Sequence, residues 1–409
     1  MLSVVSRRFV SNSRTLGKAA TSRKREEEKK DAASPQKSFY YDDLEVIRAK
    51  GTQLHQKPTD YNNLAFGHVF SDHFVNVDWT VDDGWTKPKI EPLRELSIHP
   101  GAKVLHYAAE LFEGLKAYRG VDGRIRMFRP DMNMERMRRT AARASLPDFD
   151  AEELIKIMVE MLRVDKEWVP NSDTASYYIR PTLIGTDPTL GVATSLAAKL
   201  FVIGGPVGPY YATGFKPVSL LADSRFVRAF PGGVGAYKMG CNYAPTIAIN
   251  KNAAREHGCQ QIMWLYGGDE EVTEVGTMNI FVLWKNEQGD LELVTPPLDL
   301  GLILPGVTRQ SLLDLSREWN EVKVTEKSFT MGEVRKALKE GRLCQMFGAG
   351  TAAVVSPVGE IVHHHNGKFE RLKIPTMDYK PNYMQKLYDA ITDIHYGRAV
   401  KEGWTVEVD

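Results

Sequence analysis

From about residue 60 onward, short apolar runs alternate with amphipathic segments of helical period, and this alternation constrains the fold more than any single motif. Residues 151–166 show the helical pattern, with apolar side chains at Leu154, Ile157, Met158, Met161 and Leu162. The same reasoning predicts strands at Leu200–Ile203, Val218–Leu221, Gln261–Tyr266, Met278–Trp284 and Leu291–Val294, and helices over 306–319, 330–340 and near 381–397. The chain is therefore predicted to adopt a mixed α/β fold.

A stretch dense in Gly, Pro and Tyr at residues 205–217 separates two alternating halves, as a linker does. The 409 residues are enough for two or three domains of roughly 150 residues each. We predict a smaller N-terminal α/β domain over 39–207, an interdomain loop over 208–217 and a larger C-terminal domain over 218–409. Clefts between domains are preferred ligand sites, so we expect the functional site there.

The N-terminus has a composition of its own. Residues 1–25 hold seven basic residues and no acidic one, and Leu2, Val5 and Phe9 recur at helical spacing. This pattern predicts a basic amphipathic helix, the signature of a mitochondrial presequence, with a disordered basic tail as the alternative. Residues 23–38 follow as a charged spacer. We therefore assign 1–38 to a presequence and spacer, and predict a location in the mitochondrial matrix.

Charge and hydropathy exclude several classes of function. Seven of the 53 basic residues lie in 1–25, so the rest of the chain carries 46 basic against 52 acidic residues. A mildly acidic body does not suit a protein that binds a nucleic acid backbone. No apolar run approaches the ~18 residues of a membrane-spanning helix.

Cysteines and histidines give little indication of a metal. Cys241, Cys259 and Cys344 are far apart and have no zinc-ligand spacing, and so sparse a set suits a reducing compartment. The run His363–His365 precedes Asn366-Gly367, which predicts the solvated end of a hairpin. Metal binding is the alternative, but three adjacent side chains do not readily converge on one ion. We predict no metal site.

One lysine stands alone in a glycine-rich segment. Within Gly232–Gly240, Lys238 is surrounded by glycines and apolar residues, with no acid nearby in sequence. Glycine lets the backbone approach a ligand closely. An amine in an apolar environment loses its proton more readily and becomes nucleophilic, as a Schiff-base lysine requires. The alternative is a flexible loop with an exposed lysine.

Four further stretches carry chemistry of a matching kind. Glu274 lies between apolar residues and needs a partner, either a protonated pyridine nitrogen or a structural arginine. Residues 304–308 precede a predicted helix, whose free N–H groups suit a phosphate. Residues 347–351 form a glycine-rich turn with a hydroxyl. Tyr178 and Arg180 lie on a strand-like run, where the arginine can receive a carboxylate or pair with an acid.

Taken together, these motifs resemble the branched-chain amino acid aminotransferases, which belong to the fold-type IV class of pyridoxal phosphate enzymes. The resemblance covers nearly all of 60–400 and is strongest at Leu111–Tyr118, Phe128–Pro130, Gly232–Pro245, Thr273–Phe281 and Leu304–Leu312. It implies a two-domain α/β fold with the active site in the interdomain cleft, and a homodimer. The basic N-terminus makes the chain similar to the mitochondrial form of a eukaryote.

The resemblance also implies a role for individual residues. Lys238 matches the lysine that binds pyridoxal 5'-phosphate covalently and acts as the catalytic base. The other residues matching cofactor-binding positions are Arg136 and the pair Val307 and Thr308 for the phosphate, Tyr243 for the phenolic oxygen, Glu274 for the ring nitrogen, and Thr277 and Thr351. The residues matching the substrate pocket are Tyr107, Phe112, Tyr178, Arg180, Thr351 and Ala352.

The activity implied by this resemblance is reversible transamination of L-leucine, L-isoleucine and L-valine with 2-oxoglutarate, by a ping-pong mechanism. In one place the sequence departs from the family: mammalian members carry a redox CxxC where this chain has Ala353 and Ser356. We therefore predict no thiol switch there. The alternatives are a D-amino acid aminotransferase or aminodeoxychorismate lyase of the same fold, and a catalytically silent scaffold. Neither nucleic acid nor membrane is predicted as a partner.

Overall fold

The computed structural model describes residues 36–209 and 216–408, and their strands form two sheets. The predicted presequence and most of the predicted interdomain loop lie outside these residues. Apart from one strand near the end of the chain, the strands of the first sheet all end at or before Val207, and the second sheet begins at Val218. The chain therefore passes from one sheet to the other where the linker is predicted. Among the described residues, no helix is long and apolar enough to cross a membrane.

Ten strands make up the first sheet, which is antiparallel apart from the β1–β4 pair. They are β1 (Glu45–Val46), β2 (His73–Thr80), β3 (Gly84–Trp85), β4 (Lys89–Pro92), β5 (Glu110–Phe112), β6 (Leu115–Arg119), β7 (Ile125–Phe128), β8 (Ser176–Gly185), β9 (Ala197–Val207) and, from the chain end, β19 (Thr405–Glu407). Along the main path the order is β1-β4-β2-β9-β8-β6-β7-β19, with β3 on β2 and β5 on β8.

The second sheet has nine strands of mixed direction. They are β10 (Val218–Ala222), β11 (Gln261–Tyr266), β12 (Glu271–Val275), β13 (Met278–Lys285), β14 (Leu291–Thr295), β15 (Lys323–Glu326), β16 (Leu343–Gly350), β17 (Val354–His365) and β18 (Lys368–Lys373). The path β12-β11-β10-β17-β16-β13 closes on itself because β12 also pairs with β13. Buried apolar side chains from these strands form one core.

The described residues form seven α-helices, which pack on the two sheets. They are α1 (Lys103–Tyr107), α2 (Pro130–Arg143), α3 (Ala151–Val164), α4 (Ala244–His257), α5 (Val307–Trp319), α6 (Met331–Lys339) and α7 (Tyr383–His395), with short 3-10 turns at Tyr41–Asp43, Gly51–Gln53, Lys166–Trp168 and Gly240–Asn242. Helix α3 shows how the sequence specifies them: Asp150 caps it by accepting the N–H groups of Glu152 and Glu153, and its apolar stripe is buried on the first sheet. The mixed α/β architecture is confirmed.

Two sequence predictions need correction. The segment 347–351 is not wholly a turn, because Phe347–Gly350 continue strand β16. The hairpin at Asn366-Gly367 is confirmed, but His363 is fully buried rather than solvated. It lies on β17, which is paired on both sides, with β10 and with β18.

The two halves share packing as well as a linker. Strand β19 pairs with β7, so the chain end returns to the first sheet. Tyr118 and Phe128 from the first sheet join Phe281 and Leu312 from the second half in one buried cluster. Both halves of the chain therefore contribute to the packing between the two sheets.

Candidate active site

A cleft of about 290 Å³ lies between the two sheets, and most of the sequence-predicted residues line it. Twelve of the thirteen predicted cofactor- and substrate-binding residues are there: Arg136, Lys238, Tyr243, Glu274, Thr277, Val307, Thr308, Thr351, Phe112, Tyr178, Arg180 and Ala352. They come from both halves of the chain. The structure thus brings the predicted set together, while the role of each residue stays a prediction.

Tyr107 is the exception. It ends helix α1, the residue is 42% exposed, and its hydroxyl donates to the carbonyl of Leu190 rather than lining the cleft. Its predicted place in the substrate pocket is therefore not formed within this single chain.

Backbone contacts to the N-terminal half hold Lys238 in the cleft. Its carbonyl accepts the Phe112 N–H at 3.1 Å, and its own N–H donates to the Thr140 hydroxyl at 3.3 Å. The Nζ atom donates to the Tyr243 Oη at 3.2 Å and lies 4.8 Å from the centre of the Phe112 ring. The amine therefore sits between two aromatic side chains, with a hydroxyl as its polar neighbour.

The Glu274 carboxylate is buried at the side of the cleft formed by the second sheet. Arg228 Nε lies 3.0 Å from Oε2, and the Leu304 N–H donates to Oε1 at 2.8 Å. Burial raises the pKa of Glu274, and the Arg228 guanidinium and the Leu304 N–H oppose that rise. The structural arginine considered in the sequence analysis is thus present, and the carboxyl still lines the cleft.

A second buried ion pair orients Arg136. Its Nε and Nη2 donate to the two carboxylate oxygens of Glu113 at 2.7 and 2.8 Å, and its Nη1 donates to the Pro305 carbonyl at 2.8 Å. Asn133 donates to the same carboxylate at 2.8 Å. A guanidinium has five N–H groups, so two of those on Arg136 remain for a ligand.

The N-terminal end of helix α5 lies at the cleft. Gly306 is the residue before the first turn, and Val307 and Thr308 begin it. The first N–H groups of a helix have no partner within it and favour an anion. A Cβ on Gly306 would lie 2.1 Å from the Asn279 side-chain oxygen, so only glycine fits this approach.

Arg180 is the cation on the predicted substrate side of the cleft. Its Nη2 donates to the Tyr178 hydroxyl at 3.1 Å, and its guanidinium lies 4.7 Å from the centre of the Phe112 ring. Its Nε is buried without a hydrogen-bond partner among the described residues. Neither Arg180 nor Lys238 forms an ion pair with a carboxylate in the described part of the chain, so the cleft has positive charge available for an acidic ligand.

Sequence reasoning did not identify Arg228, Glu113, Asn279 and Phe66 as parts of this site. Arg228 lies in an otherwise apolar run, Phe226–Phe230, where a buried cation needs an acid, and this is the signal that was available. Glu113 lies inside a recognised motif but was given no role. Phe66, which packs edge-on against Tyr178 at 5.0 Å, carries no such signal.

Comparison with known proteins identifies relatives for almost the whole chain. The family described as class IV amino-transferases matches residues 110–361. A cytosolic branched-chain-amino-acid aminotransferase of Caenorhabditis elegans is 64% identical over 375 residues, which cover 91% of this chain and 90% of that protein. A mitochondrial one of Bos taurus is 50% identical over 372 residues, covering 91% and 92%. Relatives thus include both cytosolic and mitochondrial forms.

Solved structures agree with the fold. A branched-chain aminotransferase of the archaeon Thermoproteus uzoniensis, solved with norvaline, superposes with a TM-score of 0.64 at 24% identity, covering 81% of this chain and 99% of that one. A branched-chain amino acid aminotransferase of Thermobaculum terrenum, solved in its PLP form, superposes with a TM-score of 0.63 at 18% identity, covering 83% and 98%. At these identities the similarity establishes the two-sheet architecture.

Proposed function

This chain belongs to the branched-chain-amino-acid aminotransferases of the class IV family, and from that premise we propose the following reaction. The enzyme transfers the amino group of L-leucine, L-isoleucine or L-valine to 2-oxoglutarate, giving branched-chain 2-oxo acids and L-glutamate. The observation that carries the proposal is the Lys238 amine, 3.2 Å from the Tyr243 hydroxyl in a cleft with one buried carboxyl and positive charge available for an acid.

The proposed cofactor is pyridoxal 5'-phosphate, and the cleft has groups that fit it. The start of helix α5 and the two remaining N–H groups of Arg136 suit a phosphate. The glycine at 306 lets the start of this helix lie close to Asn279 on the wall of the cleft, where a Cβ would clash. Glu274 would bind the ring nitrogen and Tyr243 the phenolic oxygen. Thr277 and Thr351 would contribute hydroxyls.

Once bound, this cofactor supplies a ring that takes up the electron pair released when the substrate Cα loses its proton. Lys238 would hold the cofactor and then remove that proton as general base. Tyr243 positions the amine through its hydrogen bond. Glu274, oriented by its ion pair with Arg228, would place its carboxylate against the ring nitrogen and keep that nitrogen protonated. The order of substrates is ping-pong.

The substrate side of the cleft combines apolar walls with one cation. Phe112, Tyr178 and Ala352 offer apolar surface to leucine, isoleucine and valine side chains. The Arg180 guanidinium, with its unbonded Nε, suits a carboxylate of 2-oxoglutarate. Discrimination by single methylene groups is weak, so all three amino acids are expected to react.

Absorbance spectra of the purified protein test this proposal. A visible cofactor band should change on addition of L-leucine and recover with 2-oxoglutarate, whereas D-leucine should leave it unchanged. Lys238→Ala should lose both responses. A band that responds to D-leucine would favour a D-amino acid aminotransferase, and no band after addition of pyridoxal phosphate would favour a silent scaffold.

A homodimer is proposed on the exposed apolar surface. Leu105, Leu190 and Val192 in the N-terminal half and Phe230 and Ile247 in the C-terminal half are exposed, and a dimer interface over these residues would bury their apolar surface. Val192→Glu should weaken the dimer in sedimentation velocity, whereas Val400→Glu, at an equally exposed valine, should leave it intact. A monomeric wild-type enzyme would contradict the proposal.

The mitochondrial matrix is the proposed location, because residues 1–25 carry seven basic residues and no acid. Residues 1–38 fused to a fluorescent protein should be imported into mitochondria. Replacing Arg7 and Arg8 by Glu should abolish import. A fusion that stays in the cytosol would place this enzyme with the cytosolic relatives.

A further inference from the structure

A cluster of two histidines and one glutamate lies outside the cleft described above. His363 and His365 are two residues apart on β17, so their side chains leave the same face of the strand. Glu270 reaches them from the turn that joins β11 to β12. The three can each offer one ligand atom, and these atoms lie within 4.8 Å of one another.

Their spacing suits a small tetrahedral ion. Glu270 Oε2 is 3.0 Å from His363 Nε2 and 3.7 Å from His365 Nδ1. With zinc–ligand bonds of about 2.0–2.1 Å, the ligand atoms of a tetrahedral site are about 3.3 Å apart. The two imidazole rings are inclined by 30°, with centroids 5.2 Å apart. Small movements of the side chains would therefore form a three-ligand site.

Neighbouring groups orient the Glu270 carboxylate and bury the ring of His363. The Ser224 hydroxyl donates to Glu270 Oε1 at 3.2 Å, which turns Oε2 toward the histidines. His363 is fully buried, and its Nδ1 has no hydrogen-bond partner among the described residues. The other ring nitrogen, Nε2, faces Glu270 Oε2 and is the atom that would bind the ion.

Nearby cations do not fill the position. Arg335 pairs with Glu370, and Arg225 pairs with Asp223 at 2.7 Å. His364 points to the other face of β17 and lies 3.5 Å from Asp223. The partly exposed His365 lines a surface cleft, which gives an ion access; Ser224, Glu270 and His364 line the same cleft, as do the paired arginines Arg225 and Arg335.

We propose that Glu270, His363 and His365 bind a divalent transition metal ion, with Zn²⁺ as the preferred class. Two imidazoles and one carboxylate are ligands typical of zinc and disfavour Mg²⁺ and Ca²⁺, which prefer oxygen. Water would take the open position on the solvent side. The ion would fasten the β11–β12 turn to the β17–β18 hairpin, independently of transamination.

Calorimetric titration of the chelator-treated full chain with Zn²⁺ tests the site. We expect one ion per chain, and binding weakened about tenfold or more by His365→Ala or Glu270→Gln. The matched control is His364→Ala, which removes the adjacent imidazole on the opposite face and should bind Zn²⁺ as the wild type does. His365 is preferred to His363 because its partial exposure lets the variant fold.

Two further readouts separate this site from adventitious binding. Co²⁺ in place of Zn²⁺ should give the absorbance of a four-coordinate centre in the wild type and in His364→Ala, but not in His365→Ala. Zn²⁺ should raise the thermal midpoint in the same two proteins only. No binding, or binding equal in His365→Ala and the wild type, would overturn the proposal and leave the Glu270–His363 contact as a plain hydrogen bond.

Discussion

The Glu113 carboxylate receives two parallel hydrogen bonds from the Arg136 guanidinium, Nε to Oε1 at 2.7 Å and Nη2 to Oε2 at 2.8 Å. Both side chains are buried, at 0% and 7% exposure. Burial alone would raise the pKa of Glu113, but the ion pair lowers it overall. Since Arg136 lines the cleft, this ion pair fixes the position of the guanidinium that is proposed to bind the cofactor phosphate.

Glu113→Gln should therefore weaken both the fold and the cofactor site. It leaves a buried cation without its counterion, a change that costs about 3–5 kcal/mol in the free energy of unfolding. In the wild type, ionised Glu113 contributes to the free energy of unfolding. This contribution is present above the ordinary glutamate pKa and is lost as pH falls through the lowered pKa of Glu113 in the folded protein. Urea unfolding at pH 7 and pH 4 and a pyridoxal phosphate titration measure the two effects.

Arg138 and Asp148 provide the matched control, because they form the same two-bond pair at 2.8 and 2.6 Å on the surface. Both side chains are about half exposed, so Asp148→Asn should cost less than about 1 kcal/mol. Equal losses for the two variants would mean that burial does not govern the Glu113–Arg136 pair.

Local sequence patterns predicted most of the elements, because helices and strands bury one face at a fixed period. The strand Gln261–Tyr266 has the predicted bounds, and the helical stripe of 151–166 forms α3. Twelve predicted site residues meet in one cleft. This set could be predicted because the motifs that contain these residues together resemble a known family. Periodicity alone would not have assembled them.

The partners of buried charges could not be predicted in the same way. Arg228 meets Glu274 and Glu113 meets Arg136 only through the tertiary fold, and no local spacing encodes either contact. The return of β19 to β7 has the same cause, since strand pairing over such a distance depends on the whole sheet. The burial of His363 was not predicted because a run of histidines suggests solvent, whereas successive residues of a strand face opposite sides and need not share an environment.

Arg228→Met should make the stability of the enzyme more dependent on pH. Removing the guanidinium removes an interaction that opposes the raised pKa of Glu274, so that pKa rises further. Between the ordinary and the raised pKa the native state holds the extra proton, and the free energy of unfolding falls as pH increases. We expect a loss of about 3–5 kcal/mol at pH 8 and a smaller loss at pH 5.

Two variants check this assignment. Arg228→Met combined with Glu274→Gln should remove the added pH dependence, because no carboxyl remains to ionise. Arg255→Met, which removes an exposed arginine from the exposed carboxylate of Glu256, should change the profile little. An added slope that persists in the double variant would point to a group other than Glu274.

Lys116 should make the enzyme more stable at alkaline pH. Its Nζ is buried and donates to the Ala352 carbonyl at 2.9 Å, and burial lowers its pKa from 10.5 to about 8. Between these values the unfolded chain holds the extra proton, so the free energy of unfolding rises with pH, by about 3 kcal/mol in total. Lys116→Met should abolish this rise in urea unfolding between pH 8 and 10. The surface variant Lys156→Met should keep it, and a rise retained in Lys116→Met would assign it elsewhere.

Cys241 should respond slowly to oxidants, although it is exposed and only three residues from Lys238. Burial of its thiol raises its pKa, so little thiolate is present at pH 7, and the thiolate is the reactive form. Ala353 and Ser356 stand where mammalian relatives of the resembled family carry a CxxC, and no cysteine lines the cleft among the described residues. Activity in dilute peroxide should therefore decay equally in the wild type and in Cys241→Ser. If peroxide rapidly inactivates the wild type but spares Cys241→Ser, enzyme activity depends on the oxidation state of the Cys241 thiol. The thiol would then be a redox sensor, contrary to this prediction.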